Sequence, residues 1–71
     1  MKYYFNINIS YDDFLPYYQG KVTTIVVMST EGQRIQFPAM HIRKYLLSTG
    51  IKGLFCMQTE NNKFLLLEKI R

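Results

Sequence analysis

Residues Gly32 to Phe55 read GQRIQFPAMHIRKYLLSTGIKGLF, and the order of signals in this stretch decides the fold. Arg34 to Phe37 alternates polar and apolar side chains, the period of two expected of a half-buried strand with Ile35 and Phe37 inward. Pro38 ends that strand and suits the first turn of a helix, where its missing N–H costs nothing. Ala39, Ile42 and Leu46, at spacings of three and four, form the apolar stripe of the predicted helix, with Tyr45 beside it. His41, Lys44 and Ser48 fall on the opposite face and Arg43 near its edge. Gly50 stops this helix and releases the chain into another strand.

Upstream, Glu31 and Gly32 read as a tight turn with Gly32 in the left-handed region, which pairs the Arg34 strand with Lys21–Thr30 as a hairpin. That second strand is rich in β-branched residues: Val22, Thr24, Val26 and Met28 share one face, Thr23, Ile25, Val27 and Ser29 the other. A strand apolar on both faces is either covered on both sides or has one face against a partner chain. At the N-terminus Tyr3, Phe5, Ile7 and Ile9 alternate with Tyr4, Asn6 and Asn8, a strand with a wet side. Ser10 stands at an N-cap position with Asp13 three residues on, so a short helix is expected from Tyr11 to Gln19, ended by Gly20. Pro16 is expected to kink this helix or break it into two turns, because its ring crowds the Asp12 carbonyl.

Downstream, Ile51 to Thr59 reads as a strand, Asn61-Asn62 as a two-residue hairpin turn and Lys63 to Ile70 as the last strand. Phe64, Leu66 and Ile70 are expected on one face of it, Leu65 and Leu67 on the other. The order β-α-β-β-α-β-β predicts an α+β fold: a five-stranded, mainly antiparallel sheet, open or curled into a partial barrel, with two short helices packed against it.

The length of 71 residues predicts one domain, which buries only roughly 60% of the surface its unfolded chain exposes. Six Tyr and five Phe within 48% apolar residues are enough for a core and argue against disorder. Cys56 is the only cysteine, so neither an intrachain disulfide nor a cysteine-based zinc framework can form, and a reducing, cytoplasmic setting is the expectation. No apolar run approaches membrane-spanning length, and the alternation after Lys2 is unlike a secretory leader.

Charge returns the reading to the central stretch. Arg34, Arg43, Lys44 and Lys52 lie between Glu31 and Glu60 with no acid among them, and the rest of the chain sums to zero, so the whole formal charge of +4 is there. If the helix after Pro38 crosses its own hairpin, these four gather with His41 at their margin into a patch for anions or nucleic acid. The lone His41 has neither a second histidine nor an orienting acid nearby, and a solvated surface role is favoured over a metal or general-base role. Cys56, between Phe55 and Met57, reads as a small buried hydrophobe. The adjacent Asp12 and Asp13 suit a helix N-terminus, and Gly50 and Gly53 fit no phosphate-loop pattern. No catalytic residue, metal ligand or cofactor site is expected, and the chain is not expected to be an enzyme.

At Ser10-Tyr11-Asp12-Asp13, Phe14-Leu15, Tyr18 and Gly20, and again at Gly32, Arg34, Phe37-Pro38-Ala39, Arg43 and Gly50-Ile51-Lys52-Gly53-Leu54-Phe55, the sequence resembles a bacterial family of short, stand-alone proteins of unknown function. The resemblance implies a single-domain protein and carries over no catalytic residue. From the residues themselves the first expectation is a non-catalytic interaction module that forms a homodimer or binds a protein partner. Ile25, Val27, Leu65 and Leu67 are its expected contact residues, since two short helices cannot hide both faces of their strands. The second is a nucleic-acid-binding accessory protein using Arg34, Arg43, Lys44 and Lys52.

Overall fold

A computed structural model describes residues 1–71. Five strands and one α-helix follow in the order β1 (Lys2–Ile9), α1 (Tyr11–Tyr18), β2 (Thr24–Met28), β3 (Arg34–Pro38), β4 (Ile51–Glu60) and β5 (Lys63–Lys69), with two single-turn 3₁₀ helices, Ala39–His41 and Arg43–Tyr45, between β3 and β4. All pairing is antiparallel, and the fold is α+β as the sequence predicts. The strands do not form one sheet, nor do they close into a barrel: β1-β4-β5 is a three-stranded sheet and β2-β3 a two-stranded one. The two meet at a single bridge, Phe5 to Ser29, where the Thr30 amide donates to the Tyr4 carbonyl at 2.7 Å.

The core lies between these sheets. Phe5, Ile7, Ile51, Phe55, Met57 and Leu67 face it from one side, Ile25, Ile35 and Phe37 from the other, and Phe14 of α1 with Ala39 and Ile42 closes it. Both sheets therefore have one covered face and one open one, the usual condition of antiparallel sheets. On β2 the covered face carries Ile25 and half-buried Val27, and the open face carries Val26 and Met28.

Ser10 caps α1, its hydroxyl accepting from the Asp13 amide at 3.1 Å, with Asp12 and Asp13 in the first turn as read from the sequence. Pro16 does not divide the helix, which runs unbroken to Tyr18. The bond it cannot donate is one of very few in eight residues. Its own carbonyl accepts from Lys21 at 2.9 Å as the chain turns away through Gly20.

The segment after Pro38 is not an α-helix. Ile42 accepts from Tyr45 and donates to Ala39, both at 3.1 Å, so the bonds run three residues apart. With three residues per turn, side chains at i and i+3 eclipse, which places Ala39, Ile42 and Tyr45 in one line toward the core. No side chain caps either turn, and Leu46 is already extended. Ala39 and Ile42 are buried, and Tyr45 and Leu46 are both half-buried against the core, as the sequence predicts even though the turns are 3₁₀.

The final hairpin also departs from simple alternation. Asn61 and Asn62 make the turn with φ of 53° and 63°, as expected of a two-residue hairpin. Thr59 pairs with Phe64 but Gln58 pairs with Leu66, so Leu65 is an extra residue, a β-bulge. The bulge resets the period and puts Phe64 and Leu67 on the same side, leaving Leu65 and Leu66 exposed.

Two glycines separate two kinds of constraint. Gly32 has φ of +83° in the Ser29–Gln33 loop, with open space where a Cβ would stand, whereas a Cβ on Gly50, at φ of +108°, would overlap the Ile9 carbonyl oxygen and the Ser10 backbone. Gly32→Val should cost about 1–2 kcal/mol of conformational strain, and Gly50→Ala should cost clearly more, because backbone rather than a flexible side chain must move. Thermal melting of the two variants checks the order; equal losses would mean that the Ile9–Gly50 approach is not a constraint.

Candidate interaction surface

The cationic residues of the central stretch are dispersed by the fold. Arg34 projects from β3, Arg43 and Lys44 from the second 3₁₀ turn and Lys52 from β4, and all four are exposed. Each borders a different surface depression, with His41 beside Lys44. Two of them lie on aromatic faces of their own chain: the Arg43 guanidinium is 4.7 Å from the centre of the Tyr18 ring and the Lys44 ammonium 5.3 Å from that of Tyr45. These contacts tie the 3₁₀ turns to α1 and to themselves.

His41 is half-buried rather than free in solvent. Its ring stacks on Phe64 at 3.8 Å and 14°, linking the first 3₁₀ turn to β5. A second link is the Tyr45 hydroxyl, which donates to the Leu67 carbonyl at 3.3 Å while the ring packs edge-on against Phe55. Cys56 is buried on the outer face of β4, in the row Tyr4–Cys56–Glu68. No three of His, Cys, Asp and Glu gather where they could hold a metal ion.

The four residues expected to contact a partner divide. Ile25 and Leu67 are each 6% exposed and belong to the core, and Val27 is packed against it. They are hidden by the packing of one sheet on the other, a device that counting helices overlooks. Leu65 alone of the four is open, at 53% exposure. Beside it stand Leu66 and Met40, also exposed, and with His41, Lys44, Phe64 and Leu67 they line a depression of about 320 Å³ along β5. Leu66 and Met40 are the residues that sequence reasoning missed. The bulge has no sequence marker, whereas Met40 lies off the Ala39–Ile42 stripe in either helix type and could have been read as exposed.

Fold and surface together define a small α+β domain of two antiparallel sheets with exposed apolar side chains beside β5. The chain belongs to the family described as "Protein of unknown function (DUF2835)", whose model matches residues 1–70. No curated protein and no solved structure matches it. No helix is long and apolar enough to cross a membrane.

Tyr45→Phe keeps the ring against Phe55 and removes only the bond to Leu67. A loss of about 0.5–1.5 kcal/mol is expected, read as a lower melting temperature. An unchanged melt would show that the Leu67 carbonyl is as well served by water.

Proposed function

We propose that this chain is a non-catalytic interaction module that self-associates along β5, through Leu65, Leu66 and Met40. The observation that supports this reading is the exposure of these three side chains, at 53%, 40% and 67%, around one depression, after every strand has contributed to the core. Apolar groups clustered in this way gain about 25 cal/mol per Å² when covered. A two-fold axis beside β5 brings the same patch of two copies together, as an isologous dimer requires. A stable pair needs roughly 600 Å² from each copy, out of 5010 Å² of surface. Lys44 at the margin places like charges near each other, so association should strengthen as salt rises.

Nucleic-acid binding by Arg34, Arg43, Lys44 and Lys52 is the second reading, supported by the charge of +4. Arg43 and Lys44 are neighbours on one turn, while Arg34 and Lys52 stand on different strands, so a strand would have to span three elements to meet all four.

Sedimentation at micromolar concentration tests the first reading. A dimer is expected for the unaltered chain, with dissociation weakened about tenfold or more by Leu65→Ser combined with Leu66→Ser, both exposed and cheap to replace. A strict monomer at every concentration and salt level, or a dimer indifferent to the double substitution, rejects the reading.

A further inference from the structure

The strand edges of this fold are not equally guarded. On β5 the free edge is capped by the Tyr45 hydroxyl at Leu67, distorted by the Leu65 bulge and flanked by Lys63 and Lys69. β3 is five residues long, opens with Arg34 and ends at Pro38. Bulges, charges, proline and short length are the devices by which edges avoid pairing with other chains. β2 is as short as β3 and β1 opens with Lys2, but the facing stretches Asn6–Ile9 and Thr24–Met28 carry no bulge, charge or proline.

Those edges diverge from the Phe5–Ser29 bridge, and no further pair forms between the two strands. The Tyr4 carbonyl points toward the β2 side, where it accepts from Thr30, and groups alternate along a strand, so the N–H and C=O of Asn8 point the same way. On β2, Thr23 and Ser29 use their groups toward β3, which turns those of Val26 toward β1. Asn8 and Val26 would be opposite each other in a continued ladder and are not paired. Beside them is an open depression of about 340 Å³ lined by residues 6–9 and 25–28 and by Tyr17 of α1.

We propose that this depression takes up an extended, acidic segment of a partner protein by strand addition to β1 and β2. An extended backbone is the occupant because the open groups of both walls are main-chain donors and acceptors at strand spacing. Its inward side chains meet Ile7, Ile9, Ile25 and Val27, which favours β-branched residues. Its outward ones lie beside Asn6 and Asn8, and Asn8 is paired with exposed Lys52. No Asp or Glu lines this depression or the one behind it, while Lys52 and Arg71 do line the latter, so the charge complement is acidic. A second copy carries the same +4 and has its β5 and β3 edges guarded. The available length, from Asn6 to Ile9, is about 13 Å at 3.3 Å per residue, so four or five residues of alternating β-branched and acidic type form the recognised unit.

The test uses a fluorescein-labelled peptide of alternating Val and Glu, the same peptide N-methylated at alternate backbone nitrogens, and one with Lys for Glu. The acidic peptide is expected to bind the full chain and to shift the amide resonances of Asn6, Asn8, Val26 and Met28. N-methylation and the Lys exchange should each weaken it about tenfold or more. Val26→Pro removes a donor that β3 does not use and should weaken binding comparably in a chain that still folds; if that variant unfolds, the N-methylated peptide on the unaltered chain decides. Equal binding of the N-methylated peptide, shifts centred on Met40, Leu65 and Leu66, or absence of binding at millimolar peptide overturns the proposal. So does self-association of the unliganded chain through residues 6–9, which would make a second copy the occupant.

Discussion

The packing of Phe5 between Phe37 and Phe55 is the contact on which the two sheets depend. Phe5 has no exposed surface, and its ring lies 5.6 Å from that of Phe37 on β3 and 6.0 Å from that of Phe55 on β4. Burying one such side chain contributes about 1.5–3 kcal/mol, and favourable ring geometry adds about 0.5–1.5 kcal/mol. In a domain of 71 residues this is a large share of a small net stability. Only one backbone bridge connects the sheets, and it is at the same residue, Phe5 to Ser29. Side-chain packing and main-chain bonding thus converge on one point, and everything that faces outward is arranged around it.

Much of this was legible in the sequence because local signals and tertiary demands agree. The alternation in β1, the Ser10 cap, the left-handed Gly32 and the Asn61-Asn62 turn each state their own conformation. The segment after Pro38 was not legible, because spacings of three suit both α and 3₁₀ geometry over so few residues. The last strand misled for another reason: one inserted residue at Leu65 moves Leu66 to the outside and joins Phe64 to Leu67, and a bulge leaves no trace in composition. Ile25 and Leu67 look like surplus apolar residues if helices alone cover sheets, whereas here each sheet covers the other.

Charge illustrates the same limit at longer range. Four cations within one stretch look like a single feature when read along the chain. In the fold they stand on three separate elements, a strand, a 3₁₀ turn and another strand. The surface that the fold does assemble is apolar and edge-like: Met40, Leu65 and Leu66 beside β5, and the open backbone between β1 and β2.

The pairing of the first strand with the fourth has a further consequence, for the order in which the structure can arise. Lys2 is opposite Gln58 and Ile9 opposite Ile51, so β1 finds its ladder only with residues more than forty positions away. Closing such loops costs entropy before any contact repays it, and topologies dominated by distant pairs fold slowly. On a growing chain, β1 and α1 emerge well before the strand with which β1 pairs. The central strand β4, emerging late, is paired to both β1 and β5. Its arrival converts a hairpin and a loose strand into a closed core, which makes the last twenty or so residues the step on which the whole domain becomes stable.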